Sequence, residues 1–224
     1  MITLKSAHEI ELMRRAGKIT AAARALARDM VRPGVTTQQI DKAVFQFIME
    51  QFAYPYAEWF FGDQADKFRF AHLQEALTFV PFGVAVDEFQ HICYADPQLT
   101  PKERTYQWRL LEEKYMPWRK YDNDAFMERG GYWYHKLHIY LYPFYYINYT
   151  LTTMGAMEFK KKYAEDKAAA WQDYLKLCKT GGSRSYLETL RYANLANPFE
   201  AGSVARACGY AEDILLRQLA EQEK

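Results

Sequence analysis

Apolar residues recur along this chain at three- and four-residue intervals, the mark of helices with one buried face. Ile10, Met13, Ala16, Ile19 and Ala23 set the pattern behind Ser6, whose side chain can cap a helix with Glu9 at the third position. Arg32-Pro33-Gly34 ends that helix, and Thr36 with Gln39 opens a second one reaching about Phe52. Pro55 bends or ends it within Tyr54-Pro55-Tyr56. A third helix is expected from Leu73 to Tyr94, with a break at Pro81. Thr100-Pro101-Lys102-Glu103 combines a cap, a proline at the first position and an acid at the third. The helix it opens carries Trp108, Leu111 and Tyr115 and stops before Pro117. Residues 117–135 read as loop, with Asp122-Asn123-Asp124 and Gly130-Gly131 as turn material. Further helices are expected over 143–164, 167–178 (closing on Gly181-Gly182), 185–194 and 204–222, the last capped by Ser203. Few alternating runs compete with these, so the predicted fold class is all-α.

Composition narrows the picture. The 224 residues are 50% hydrophobic, enough for one sizeable core or a domain with an appended piece. A net charge of +1 leaves no footprint for nucleic acid or an acidic membrane surface. No secretory leader and no apolar run of membrane-spanning length is visible. Cys93, Cys178 and Cys208 are odd in number and widely spaced, which fits neither a disulfide framework nor a zinc knuckle and favours a reducing, cytoplasmic setting. Residues 1–49 hold eight basic and four acidic residues and few aromatics, whereas the remainder is slightly acidic and rich in aromatics. That shift places a seam near Phe47-Ile48-Met49-Glu50, giving a segment 1–48 and a larger part 49–224.

Residues 130–149 concentrate the candidate chemistry, with two His and seven Tyr. A purely structural core uses Leu, Ile and Val, because each buried hydroxyl or imidazole needs a hydrogen-bond partner. So many phenols fit either a donor-rich wall that binds a ligand or an aromatic core whose hydroxyls reach backbone carbonyls.

Specific runs carry a family resemblance. They include Tyr54-Pro55-Tyr56, His72-Leu73 with Glu75-Ala76-Leu77, and Val80-Pro81-Phe82-Gly83-Val84-Ala85-Val86-Asp87-Glu88-Phe89-Gln90-His91. Gly130-Gly131, His138-Ile139, Pro143-Phe144-Tyr145-Tyr146-Ile147, Tyr149 and Leu177-Cys178-Lys179 with Gly181-Gly182-Ser183 follow. From Met49 onward the chain resembles the C-terminal part of the catalytic domain of oligoendopeptidase F, among the thimet oligopeptidase-like zinc peptidases. Residues 1–48 differ. Met1-Ile2-Thr3-Leu4-Lys5-Ser6, Glu9-Ile10-Glu11, Met13-Arg14, Ala16-Gly17 and Arg32-Pro33-Gly34-Val35-Thr36-Thr37 resemble the start of type I methionine aminopeptidases. The first resemblance implies the helical half of a zincin-like oligopeptidase domain, here preceded by a helix pair, and cleavage of short peptides with zinc as cofactor.

The zinc chemistry has no residues to carry it. A zincin needs two His one turn apart with a Glu between them, and a third ligand farther along. None of the five His begins a His-Glu-x-x-His, and the family's third-ligand position falls on Ala43. The methionine aminopeptidase ligands have no counterpart either. No catalytic residue and no metal ligand is therefore assigned, and no zinc is expected to bind. The resemblance does carry over an aromatic wall facing the substrate: His138, Tyr146 and Tyr149, to which Tyr142 is added as a neighbour one turn earlier.

Simpler readings apply elsewhere. His135 with His138 fits hydrogen-bonded structure better than a metal pair. Asp87, Glu88 and His91 fit a buried polar network, Lys160-Lys161-Lys162 a solvated helix face, and the cysteines core packing. The expectation is an oligopeptidase fragment that lacks activity alone and binds short peptides weakly, with a missing catalytic half or a second copy as partner. The competing readings are a non-catalytic helical module that binds peptides or a partner, and an aminopeptidase.

Overall fold

A computed structural model describes residues 54–180 and 182–222. The two helices expected before residue 53, and the seam near Met49, lie outside the described residues. Among the described residues every regular element is helical, as the apolar spacing predicts. The α-helices are α1 (Ala57–Phe61), α2 (Ala65–Ala95), α3 (Pro101–Tyr115), α4 (Ala125–Glu128), α5 (Leu137–Leu141), α6 (Ile147–Glu165), α7 (Lys167–Thr180), α8 (Tyr186–Tyr192) and α9 (Ser203–Gln222). Short 3-10 turns cover Tyr54–Tyr56, Gly62–Gln64 and Gly131–His135. The chain divides into two compact units. One takes described residues up to Leu73 and again from Gly155; the other is the continuous stretch Gln74–Met154.

The continuous unit is built around α2 and α3. Helix α2 starts earlier than its pattern predicts and runs unbroken through Pro81. A mid-helix proline costs about 3 kcal/mol through its missing N–H and its ring clash. Phe82, Ala85, Val86 and Phe89 follow it at helical spacing, and all are buried. Each large side chain so placed contributes roughly 1.5–3 kcal/mol, so burial outweighs the proline. Helix α3 starts and stops as the sequence predicts: Thr100 and Glu103 form the reciprocal capping box, with Pro101 beside the cap. It turns Trp108 and Leu111 inward, onto Phe82, Phe89, Met116, Trp133 and Tyr146. Glu112 is buried with them at 1% exposure. Its Oε1 accepts from Trp108 Nε1 at 2.8 Å and from the Tyr121 hydroxyl, and Arg109 Nη1 stands 3.7 Å from Oε2.

The region 117–135 is more ordered than a loop. Asp124 caps the short α4, and Gly131–His135 form a 3-10 turn. Gly130 opens that turn at φ +98, where an added Cβ would stand 2.2 Å from the Thr105 carbonyl oxygen, so only glycine fits. Asp87, Glu88 and His91 do not form the buried network expected of them. His91 is 67% exposed and lies 3.4 Å from Asp87, while Glu88 turns to Lys114 at 2.8 Å and to the Tyr115 hydroxyl.

The discontinuous unit packs Phe159 of α6, Tyr174 and Cys178 of α7, Leu190 of α8 and the following Ala193 and Leu195 into one cluster. Ser185 with Glu188 caps α8 by a second reciprocal box. Ser203 is no cap: its hydroxyl donates to the Pro198 carbonyl at 2.6 Å, and it is the first residue of α9. Lys160, Lys161 and Lys162 do not share a solvated face, because successive helical residues point about 100° apart. Lys160 is buried with its ammonium 3.4 Å from the Tyr54 ring centre. Lys162 pairs with Asp173 at 2.6 Å; Lys161 alone is well exposed, 3.9 Å from Glu165.

Candidate functional site

The Pro143-Phe144-Tyr145-Tyr146-Ile147 run does not continue a helix. Phe144 sits in the left-handed region at φ +58, which a helix interior excludes. Helix α5 therefore ends at Leu141, the chain turns, and α6 begins at Ile147 rather than at 143. The Phe144 ring is held 4.7 Å from His91 and 4.9 Å from Tyr94, contacts that fix this turn. Its effect is to fold Tyr145, Tyr146 and Tyr149 back toward His138 on α5.

His138 is the centre of the resulting cluster. Its ring centroid lies 5.2 Å from that of Tyr146, 5.5 Å from Tyr149, 5.9 Å from Tyr142 and 6.3 Å from Tyr145. His138 Nε2 and the Tyr149 hydroxyl are hydrogen-bonded at 3.3 Å. Tyr146 and Tyr149 have ring centroids 5.3 Å apart, joined by a Tyr149 N–H to Tyr146 carbonyl bond of 3.0 Å. Tyr142 is not on the same helical face as these two; it follows α5 and is largely exposed.

The members differ in environment. The Tyr146 ring is part of the aromatic core, against Phe79 and Phe82 at 5.9 Å each. No described residue hydrogen-bonds its hydroxyl. Burial, with lesser contributions from Tyr149 and Tyr132, pushes its phenol up to about 12, so it remains a donor at neutral pH. His138 and Tyr149 are half-buried. The arrangement combines a buried ring floor with phenol and imidazole polar ends, which suits hydrogen bonding to a carbonyl oxygen.

His135 is not a partner of His138. Its Nδ1 is hydrogen-bonded to the Tyr132 carbonyl, and burial depresses its imidazole basicity. Among the described residues no three His, Cys, Asp or Glu side chains gather as a metal site. Zinc, implied by the resemblance, does not fit this donor set, since His138 Nε2 is already committed to the Tyr149 hydroxyl and no carboxylate joins it. Cys93, Cys178 and Cys208 are free thiols, each raised above its ordinary pKa by burial, so they are not activated nucleophiles.

Two cations beside the wall escaped the sequence reading. Lys136 holds its Nζ 4.7 Å from the Phe82 ring centre and 5.7 Å from that of Tyr146. Arg119 stacks 4.4 Å over Tyr132 and 5.3 Å over Phe82. A basic residue inside the aromatic run was the available signal for Lys136; Arg119 has none, because it reaches the site only through the fold.

Solved peptidase structures match this helical order. An oligoendopeptidase F aligns with a TM-score of 0.72 and 49% identity, over 78% of this chain and 31% of its own length. PZ peptidase A, solved with an inhibitor, gives 0.73 and 46% over 79% of this chain and 32% of its own. An oligoendopeptidase F from Bacillus anthracis gives 0.62 and 38%. Curated sequences match a shorter stretch. Methionine aminopeptidase of Clostridium perfringens is 42% identical over 62 residues, 28% of this chain and 25% of that protein. That of Geobacillus stearothermophilus is 54% identical over 41 residues, 18% of this chain and 80% of that sequence. No protein-family model matches the chain. Two peptidase families therefore meet here: the described helices are similar in fold and sequence to oligoendopeptidase F, and a short stretch is similar to the methionine aminopeptidases. The chain spans under a third of the solved relatives and a quarter of the Clostridium protein.

Proposed function

We propose that this chain is a peptide-binding portion of an oligopeptidase scaffold that does not hydrolyse peptides by itself. The observation that carries the reading is the His138 cluster, in which Tyr142, Tyr146 and Tyr149 surround one imidazole within 5.9 Å. In this reading Tyr146 and Tyr149 offer hydroxyls to a peptide carbonyl and His138 orients Tyr149. One wall encloses little of a ligand, so affinity for short peptides is low. Hydrolysis fails because the sequence has no His-Glu-x-x-His and, among the described residues, no metal-holding group forms. A polypeptide supplying the missing half, or a second copy of this chain, completes the cleft. The free thiols and the absence, among the described residues, of a helix long and apolar enough to cross a membrane support a cytoplasmic setting.

Fluorescence anisotropy with labelled penta- to octapeptides tests binding, and a quenched-peptide assay with added zinc tests hydrolysis. Weak saturable binding that is reduced by His138→Ala and Tyr149→Phe is expected, with no turnover. Peptide hydrolysis by the pure chain, suppressed by a chelator, would overturn the reading. Removal of Met from Met-Ala peptides would favour the aminopeptidase alternative instead.

A further inference from the structure

Beside the aromatic wall lies a set of hydrogen-bond donors only partly met by acceptors: Arg119 reaches the Tyr121 hydroxyl, and the rest of its fork points elsewhere. Lys136 and Arg119 both sit within 5.3 Å of the Phe82 ring centre. Among the described residues neither cation forms an ion pair. Arg119 Nη1 is buried with no hydrogen-bond partner. The hydroxyls of Tyr132 and Tyr146, whose rings flank Phe82 at 5.9 Å each, also make no hydrogen bond to a described residue. Glu112 Oε1 is taken by Trp108 and Tyr121, while its buried Oε2 faces Arg109 at 3.7 Å and makes no hydrogen bond.

Such a set is unusual in a folded protein. Nearly all buried N–H groups are satisfied, and an unsatisfied charged donor costs several kcal/mol. Ring faces soften the cost through cation–π attraction, but they give the N–H groups no acceptor. Two like charges near one ring also repel, and Lys136 shows it: burial, then the charge of Arg119, pulls its ammonium below the usual lysine range. An anion relieves all of these at once: it accepts from both cations and both phenols. A guanidinium fork beside an ammonium suits a carboxylate's two oxygens.

We infer that Arg119, Lys136, Tyr132 and Tyr146 form a carboxylate-binding subsite that selects peptides carrying an acidic group next to the segment held by His138 and Tyr149. The inference rests on the peptide-binding reading above and names its specificity. The carboxylate comes from the peptide's C-terminus or from an acidic side chain. Shared use of Tyr146 by the wall and the subsite sets their spacing, because Lys136 stands 5.7 Å from the ring that lies 5.2 Å from His138.

The test uses acetyl-tetraalanine with a free C-terminal carboxylate and its carboxamide, and a carboxamide peptide with a central Glu against its Gln counterpart. The acid of at least one pair should bind about tenfold more tightly than its neutral partner at low salt, and the preference should shrink with ionic strength. Which pair shows it identifies the source. Lys136→Gln and Arg119→Gln should each bring the ratio within about twofold. Equal binding of acid and neutral peptides in both pairs overturns the subsite but leaves the wall intact. If no peptide binds, the peptide reading fails, and acetate alone decides the subsite. A saturable shift of the Lys136 ammonium resonance in the wild-type chain sustains it, and no shift overturns it. That measurement needs no variant, so it holds even where a substitution prevents folding.

Discussion

Asp173→Asn should destabilise the chain by roughly 2–3 kcal/mol at pH 7, and the penalty should vanish in acid. Asp173 is buried, yet its carboxylate accepts from Lys162 at 2.6 Å, Lys176 at 2.9 Å and Asn194 Nδ2 at 2.7 Å. Burial alone would raise its pKa; the three donors outweigh burial and bring it to about 2 from 3.8. Each unit is worth about 1.4 kcal/mol, which gives the stated figure. The sign follows from a depressed folded value. Stability is present above the unfolded pKa near 4 and is lost as pH falls through about 2. Asparagine keeps the shape and one acceptor oxygen but removes the charge that both ammonium groups face. Urea denaturation of wild type and variant, followed by circular dichroism from pH 7 down to 2.5, reads the difference directly, since other carboxylates cancel between the two proteins. A gap that stays constant over that range would refute the argument. So would one below about 0.5 kcal/mol at pH 7, the ordinary effect of an uninvolved surface residue.

Glu112→Ala should cost about 3–5 kcal/mol in thermal or urea melts, because it strands the Trp108 N–H and the Tyr121 hydroxyl in the core; Glu112→Gln, which keeps an acceptor oxygen, should cost less. Gly83→Ala should destabilise by about 1–3 kcal/mol despite a helix-propensity gain of about 1, since the new Cβ would lie 1.8 Å from Thr150 Oγ1. Adding Thr150→Ala should recover most of that loss, because the Thr150 hydroxyl is buried without a partner, and a double variant no better than the single one would count against the clash. Tyr146→Phe should change neutral-pH stability by less than about 1 kcal/mol. In the wild type, burial holds this phenol protonated to about 12, so its contribution is complete below the unfolded pKa near 10 and disappears as pH rises through 12. Absorbance at 295 nm should show one late-titrating tyrosine missing from the variant.

The helices were legible where local chemistry decides them. Thr100-Pro101-Lys102-Glu103 marks the start of α3, because capping is a contact within one turn. Pro81 misled for the opposite reason: its local cost is real, but Phe82, Ala85, Val86 and Phe89 repay it through a core that no short window reveals. The start expected for α6 at 143 failed on Phe144, a residue type that rarely takes positive φ, so its identity carries no signal of the turn. Within the candidate site, His138 and the tyrosines could be named because the family resemblance carries their positions, inside a run whose phenols already stood out. Arg119 and Glu112 could not, since their neighbours Tyr132, Trp108 and Tyr121 are brought together by tertiary packing. The charge run read Lys160, Lys161 and Lys162 as one solvated surface; the helix turns them three ways.

The division of the chain also bears on its synthesis. The unit Gln74–Met154 is contiguous, so all of its partners have left the ribosome once Met154, within α6, has emerged. The other unit is interrupted: the segment holding Tyr54 and α1 is made first, but the α7–α8 cluster that completes its unit is made last. Until then that early segment must wait with the Tyr54 ring uncovered by Lys160, a window in which chaperone capture or misassociation competes with folding. Slowing translation after residue 154 should lengthen this wait and lower the soluble yield, whereas the contiguous unit should be indifferent to it.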